Sequence, residues 1–257
     1  MSISGIQLAD FSVSCRYITG KQFSGEHYII HSLNSEEMDF FLRYGYRHFG
    51  FYFFRPLCEG CHQCIPLRIP LNTFRFSRSE RRVFSKNKGF RTEVGPPFPS
   101  RDAFRLYKTH KKRFEEQGRE SYEQFAESFF APLACSYQLS LYDGEELIAV
   151  SHFDATEHSL SAVYCYYHDG YHRHSLGAYA ILKEIELAIE WGLDFVYLGY
   201  FVPENNHMNY KIRYCPNQLF IGEGSWVDYM DADRHILFPH ATSIGFSPQT
   251  RLIQYSA

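Results

Sequence analysis

The sequence predicts a mixed α/β (α+β) fold, and three features of its second half are responsible. Residues 138–142 and 146–153 have strand patterns on either side of an Asp143-Gly144 turn, which is a strong hairpin signal. A third strand is predicted at 159–167. A helix is then predicted from Ser175 to Gly192, followed by a short buried strand at 195–198 that runs parallel to an earlier strand, because a helix separates the two.

Composition and charge limit the classes of protein to consider. The chain has 257 residues, of which 45% are hydrophobic and 18% aromatic, enough to bury a sizeable core in one large or two modest domains. Its net charge is −3, so a nucleic acid would have to bind a local basic surface. We find neither an apolar run of 18 residues nor an export signal, and therefore expect a cytoplasmic protein that does not contact membranes.

A proline-rich stretch at 95–100, Gly-Pro-Pro-Phe-Pro-Ser, predicts a domain boundary. We expect a smaller N-terminal cysteine-containing domain at 1–94, a larger C-terminal domain at 101–240 and a tail at 241–257. Short strands are predicted at 51–54 and 67–69, and a helix from Ser35 that ends at Gly45. Past the boundary, apolar residues between Phe104 and Phe114 predict an amphipathic helix.

Cysteines crowd into one short segment of the N-terminal region. Cys58, Cys61 and Cys64 form two overlapping Cys-x-x-Cys steps, and Cys15 lies upstream where the fold can return it to them. Four sulfurs are what a tetrahedral zinc ion or an iron–sulfur cluster requires. Seven cysteines in total, an odd number, favour reduced thiols over a disulfide framework. The alternative is a set of buried free cysteines without metal.

A basic run follows the cysteines. Its residues recur at i, i+3 and i+4, so on a helix several share one face suited to phosphates. The run consists of Arg78, Arg81, Arg82, Lys86 and Lys88. A solvated helix face is the alternative. Ser175, at the start of the later helix, is a further candidate for a phosphate or a terminal adenosine, the alternative being a simple N-cap.

Several motifs occur in order between residues 15 and 226, and together they resemble the aminoacyl-tRNA–protein transferases. They are Cys15-Arg-Tyr, Arg55-Pro-x-Cys58-x-x-Cys61-x-x-Cys64-x-Pro66-x-Arg68-x-Pro70-x-x-x-Phe74, the run from Ser77 to Arg82 with Asn87, Val163-Tyr-x-Tyr-Tyr167, Ser175-Leu-Gly177, Tyr197-Leu-Gly-Tyr200 and Met208-Asn-Tyr-Lys211. The match is closest to the bacterial aspartate/glutamate leucyltransferases, relatives of the arginyltransferases. The strand and helix order is likewise similar to the core of GNAT acyltransferases.

This resemblance implies a reaction and its partners. Leucine would pass from Leu-tRNA to the amino group of a protein that begins with Asp or Glu, and the product would be an N-degron for proteolysis. Relatives hold an iron–sulfur cluster near the equivalent cysteines, although the transfer itself needs no cofactor. The chain departs from the family pattern at His168-Asp169, at His207 and at Cys215-Pro-Asn-Gln218.

The chemistry indicates what the site must contain. An aminoacyl ester is already activated, so attack by a neutral amine needs orientation, a proton acceptor and stabilisation of the oxyanion rather than a covalent nucleophile. His168, Asp169 and Tyr167 are the catalytic candidates, at the end of a predicted strand; a polar turn is the alternative. For the aminoacyl pocket the candidates are Tyr164, Tyr166 and Tyr200, and the alternative is ordinary core packing.

An acceptor with an acidic first residue also requires a cation that reads its carboxylate. The candidates are Arg68, Arg78, Lys211 and Arg213. Three other functions stay open: transfer of arginine instead of leucine, an acyl-CoA-dependent N-acetyltransferase, and an inactive degron-binding module. The acetyltransferase is disfavoured because residues 171–174, Tyr-His-Arg-His, stand where a glycine-rich pyrophosphate loop would lie.

Overall fold

The computed structural model describes residues 4–114 and 120–239, so the predicted tail lies outside it. The helices are α1 (Ser35–Arg43), α2 (Arg78–Asn87), α3 (Arg101–Lys111), α4 (Tyr122–Phe129) and α5 (Leu176–Glu190), with short 3-10 turns at Lys112–Phe114, Asp169–His174 and Asn209–Arg213. The strands are β1 (Ser4–Gln7), β2 (Val13–Ser14), β3 (Gln22–Phe23), β4 (Gly25–Ser32), β5 (Arg47–Phe49), β6 (Tyr52–Pro56), β7 (Ile65–Pro70), β8 (Arg91–Gly95), β9 (Ser136–Asp143), β10 (Glu146–Ala155), β11 (Ser159–Tyr167), β12 (Phe195–Phe201), β13 (Asn217–Gly222) and β14 (Ser225–Met230).

These strands form one large mixed sheet and two smaller ones. The large sheet has eight strands in the order β14-β13-β7-β12-β11-β10-β9-β8. A four-stranded sheet, β1-β4-β6-β5, and the β2-β3 hairpin come from the N-terminal region. The mixed α/β class is confirmed, as is the order of three antiparallel strands, a helix and a parallel strand.

The elements predicted from local pattern are present, with small shifts. Strands β9 and β10 form the hairpin, although the two turn residues are Gly144 and Glu145 rather than Asp143 and Gly144. Helix α1 covers the predicted range, and its cap is Asn34, whose side chain accepts from the Glu37 backbone N–H at 2.9 Å. The predicted start of this helix at Ser35 is confirmed, and the helix ends at Arg43, shortly before the predicted Gly45.

The large sheet crosses the domain boundary predicted near residue 94. Strand β7 lies between β12 and β13 in the middle of the sheet, and β8 forms its edge by pairing with β9. Leu67 and Ile69 of β7 are fully buried there. The proline-rich stretch is thus a loop between β8 and α3, and it does not divide the sheet.

Helices cover both faces of this sheet. On one face α5 packs with Leu182 and Ile185 in a core that includes Leu160 of β11. On the other face α3 and α4 pack against Val150 and Tyr166. Helix α2 lies against α5 through the ring pair Phe84 and Tyr179, at 5.9 Å between centroids. None of the helices in the described ranges is both long enough and apolar enough to span a bilayer.

Candidate active site between β11 and β12

The candidate site lies where β11 and β12 separate. These parallel strands pair over only three residues each, from Ser159 with Phe195 to Ser161 with Tyr197, although both strands continue. Past that point β12 bulges at Gly199, which has φ +81°. Because the ladder stops, backbone groups and side chains of both strands border a gap next to the sheet centre.

Arg47 reaches this gap from β5 of the N-terminal sheet. One of its terminal nitrogens donates to Ser161 Oγ at 2.7 Å and the other to the Ala162 carbonyl. The residue is partly buried, and desolvation lowers the pKa of its guanidinium. A charge from the smaller sheet is therefore held against β11 of the larger one.

Lys211 enters from the Asn209–Arg213 turn. Its side chain is 9% exposed, and Nζ donates to the Tyr200 carbonyl at 3.1 Å and lies 3.7 Å from Met208 Sδ. Burial, and after it the charge of Arg47, lower the pKa of Lys211 to about 7. A Cβ added to Gly199 would lie 3.3 Å from Arg47 Nε and 3.5 Å from Lys211 Nζ, so both cations face the same point of β12.

A buried carboxylate accompanies them on α5. Glu184 is 0% exposed; its Oε1 accepts from Ser151 Oγ at 2.6 Å, and no protein group in the described ranges pairs with Oε2. Burial raises the pKa of Glu184 to about 8, against smaller opposing effects of Ser151 and Arg47. Titration near neutrality in a buried position is a property of proton-transfer groups, and also of some structural ones.

The catalytic candidates from the sequence lie nearer the surface. The His168 side chain is 41% exposed; its Nδ1 accepts from the Gly170 N–H at 2.9 Å. Asp169 is 46% exposed and pairs with Arg113 at 3.4 Å. The Arg113 guanidinium also lies 4.8 Å from the centre of the Tyr167 ring. The three candidates are adjacent, at the carboxyl end of β11.

The aromatic candidates occupy different environments. Tyr166 is fully buried, with its hydroxyl 3.2 Å from His152 Nε2, and Tyr200 donates to the Gly45 carbonyl at 2.9 Å. Both hydroxyls thus have internal partners, as expected for core tyrosines. Tyr164 is only partly buried and stacks on Phe129 at 5.2 Å, which leaves it the most accessible of the three.

The basic run forms an exposed face of α2. Arg78, Arg81 and Arg82 are exposed, and Lys86, also exposed, donates to the Arg173 carbonyl at 2.7 Å. Lys88 follows the helix and is exposed as well. The contact with Arg173 joins this face to the basic segment His172-Arg173-His174 ahead of α5.

Ser175 does precede α5, but it is not a simple N-cap. Its backbone is left-handed, at φ 53° and ψ 48°, and its side chain makes no cap hydrogen bond. An N-cap normally has extended dihedrals, which let the hydroxyl turn back to the first turn. The first turn of α5 therefore lacks side-chain capping by this residue.

The other three carboxylate candidates are placed less favourably than Lys211, and one of them, Arg78, lies on the exposed face of α2. Arg68 is held between Phe195 and Trp226, with its guanidinium carbon 3.8 and 4.4 Å from the ring centres, and it donates to Gln218 Oε1 at 2.7 Å. Arg213 is exposed. Of the four predicted candidates, Lys211 alone points into the gap.

The four cysteines of the N-terminal cluster share one region, and all are free thiols. Burial raises the pKa of Cys64, and the neighbouring thiols of Cys58, Cys15 and Cys61 raise it further. Cys58 Sγ donates to the Ser24 carbonyl at 3.4 Å. The donor types suit zinc or an iron–sulfur cluster, but across the described ranges no three Cys, His, Asp or Glu side chains converge on a metal position.

Two of the groups at the gap, Arg47 and Glu184, were not identified from the sequence. Glu184 had a signal, because it interrupts the apolar stripe of Ala180, Ile181 and Ala188 on α5. Arg47 had none, since a lone arginine in a three-residue strand is ordinary.

Comparison with known proteins identifies the family. Residues 13–82 match the model described as Arginine-tRNA-protein transferase, N terminus, and residues 102–221 match the one for its C terminus. The aspartate/glutamate leucyltransferase of Campylobacter jejuni is 34% identical over 217 residues, which cover 81% of this chain and 90% of that protein. The enzyme of the same name from Acinetobacter baumannii is 32% identical, over 77% of this chain and 74% of the relative.

Similar solved structures include FemX, which is 6% identical with a TM-score of 0.43 and covers 77% of this chain and 79% of its own. L-PGS from Bacillus licheniformis is 16% identical with a TM-score of 0.43, and the match covers 65% of this chain and 50% of that one. At TM-scores below 0.5 such likeness establishes neither fold nor function. The sequence matches do establish kinship: the chain belongs to the family of the arginine-tRNA-protein transferases and aspartate/glutamate leucyltransferases.

Proposed function

We propose that this protein transfers leucine from Leu-tRNA to the α-amino group of proteins whose first residue is Asp or Glu. The observation that carries the proposal is the 34% identity to an aspartate/glutamate leucyltransferase, which extends over 90% of that relative. The two family models match both the segment that contains Arg47, at 13–82, and the segment that contains Glu184 and Lys211, at 102–221. The product would be a protein lengthened by one residue, marked for proteolysis as an N-degron.

The reaction needs little covalent help. The lone pair of the acceptor amine attacks the ester carbonyl carbon, a C–N bond forms, and the C–O bond to the terminal ribose of the tRNA breaks. The amine loses a proton, and the ribose oxygen gains one as it leaves. Because an α-amino group has a pKa of about 8, a weak base suffices. His168 and Glu184 are the two proposed proton acceptors, the first exposed and the second buried, with a pKa of about 8.

The basic face of α2, with the adjoining segment 172–174, is the proposed tRNA contact. Exposed arginines at helical spacing are suited to a row of phosphates, and the Lys86 contact with the Arg173 carbonyl extends the same surface toward α5. Ser175 lies at the end of this surface, immediately before α5. For the acceptor, Lys211 is the proposed carboxylate reader, since it alone of the predicted candidates points into the gap.

We also propose a metal or cluster at Cys15, Cys58, Cys61 and Cys64. The donor types support the proposal, because four free thiols in one region are what a tetrahedral zinc ion or an iron–sulfur cluster requires. No step of the transfer depends on it.

A parallel assay tests the activity. The protein is incubated with radiolabelled Leu-tRNA, Arg-tRNA or Phe-tRNA and with peptides that begin with Asp, Glu, Arg or Ala. Label should pass from Leu-tRNA to the Asp and Glu peptides and to no other. Transfer from Arg-tRNA alone would favour the arginyltransferase function that the family models name, and transfer to basic termini would contradict the proposed acceptor.

A further inference from the structure

Two cations without an acidic partner meet at one point of the gap. Arg47 donates to neutral oxygens of Ser161 and Ala162, and Lys211 to the neutral carbonyl of Tyr200. Within residues 4–114 and 120–239, neither side chain forms an ion pair with Asp or Glu. Arg55, a third cation of the N-terminal region, differs: it is buried and pairs with Glu26 at 2.6 Å.

Such a pair lacks a directly bonded counter-ion, although the carboxylates of Asp154 and Glu184 act on Arg47 from a greater distance. Burying a cation without a counter-ion is unfavourable, and a second cation beside it adds repulsion. The lowered pKa of Lys211 reflects both effects, because its causes are burial and Arg47. An anion placed between the two heads would relieve both.

Gly199 leaves both cationic heads uncovered on the side of β12. A Cβ there would lie 3.3 Å from Arg47 Nε and 3.5 Å from Lys211 Nζ, so any side chain at this position would stand against both donors. Lys211 is 9% exposed, which suits a small anion on a short side chain better than a hydrated phosphate of a nucleic-acid backbone. The exposed arginines of α2 are the better match for phosphates.

We infer that Arg47 and Lys211 together bind the side-chain carboxylate of the acceptor's first residue, and that Gly199 keeps their donor atoms uncovered by a side chain. The inference rests on the proposed function and adds Arg47, from the N-terminal sheet, as a specificity-determining residue. A guanidinium and an ammonium on one carboxylate satisfy both of its oxygens through charge-assisted hydrogen bonds. The small sheet thereby supplies half of the acceptor site.

Peptides that begin with Asp or with Asn test this directly, because the two residues have nearly the same shape and differ in charge. The ratio of kcat/KM for Asp over Asn is measured for the full-length wild type, Lys211→Met and Arg47→Gln. Each variant should lower this ratio by about tenfold or more, as expected for loss of a charge-assisted hydrogen bond. Lys108→Met, an exposed lysine on α3, should leave the ratio unchanged.

Calorimetric titration of the same peptides without tRNA gives the ratio of their binding constants, Asp over Asn, independently of catalysis. If wild type binds Asp over Asn but transfers to neither, the proposed function fails and the inference stands. An unchanged Asp/Asn ratio in Lys211→Met would overturn the inference. An equal loss of kcat/KM for both peptides, together with weaker binding of Leu-tRNA, would also overturn it, because the anion would then belong to the tRNA. If Arg47→Gln does not fold, Lys211→Met decides alone.

Discussion

Gly199 shows how one missing side chain shapes the site. An alanine there would combine two effects, backbone strain at φ +81° and a methyl group against both cations. Gly192 is a control for the first effect alone. It has φ +72°, and no atom lies within 4 Å of its Cβ position, so an alanine there adds backbone strain without a close contact. We expect Gly192→Ala and Gly199→Ala to lose comparable stability, about 1 kcal/mol, from the left-handed backbone.

Only Gly199→Ala should also impair transfer to Asp peptides, by about tenfold or more in kcat/KM, because its methyl group displaces the two cationic heads. Thermal unfolding and steady-state kinetics on both variants check this. Equal activity losses in the two glycine variants would show that strain, not the filled space, is responsible.

Glu184 links the site to stability through its pKa of about 8, raised by burial. The folded state therefore binds a proton that the unfolded state releases between about pH 4.5 and 8, so stability is lost as pH rises through this range. The Glu184→Gln variant has no ionisable group at this position, so its free energy of unfolding should depend less on pH. Its slope should differ from that of wild type by up to about 1.4 kcal/mol per pH unit. Urea unfolding at pH 5, 6, 7 and 8 measures this free energy for both proteins. The same pH dependence in both would contradict a raised pKa for Glu184.

The same substitution separates the proposed proton acceptors. If Glu184 accepts the proton, Glu184→Gln should lower kcat and leave the KM for peptide nearly unchanged, whereas His168→Gln should have little effect on kcat. The reverse pattern would return the role to His168.

At the scale of elements, α2 gives the clearest test of the tRNA surface. Replacing Arg81 and Arg82 with alanine removes two exposed charges, so the salt dependence of tRNA binding should flatten by up to about two log units of affinity per log unit of salt. Melting temperature should change little, because exposed charges contribute little to stability. Filter binding across a salt series measures the slope; an unchanged slope would leave α2 as a solvated face.

The cysteine segment has its own test. If the four thiols bind one metal or cluster, protein purified without oxygen should contain zinc or iron, and Cys61→Ser should lower that content and destabilise the N-terminal region. Elemental analysis of both proteins answers it. Metal-free wild type would mean that these are free cysteines.

The elements also show what sequence reasoning can reach. Hairpin β9-β10, strand β11 and helix α5 were predicted because their signals are local: a turn, an alternation, an apolar stripe. The position of β7 was not, because its pairing joins Leu67 with Leu219, far apart in sequence and without a local mark. The predicted boundary near residue 94 was placed from prolines, which report a loop and not a division of a sheet.

For the whole molecule, the candidate site is assembled from distant segments. Lys211 was predicted through a motif, whereas Arg47 arrives from the small sheet and meets Lys211 only because β5 packs beside β11. Nothing local in a sequence encodes that meeting. The two matched models, for the N and C termini of one family, thus correspond to two segments that share one gap.

The most direct test of the account is the product itself. An Asp-initiated peptide is incubated with the protein and Leu-tRNA, and the peptide is sequenced by tandem mass spectrometry beside an Ala-initiated control. The account predicts one leucine added at the α-amino group of the Asp peptide and none on the Ala peptide. An unmodified Asp peptide, or leucine on both peptides alike, would contradict it.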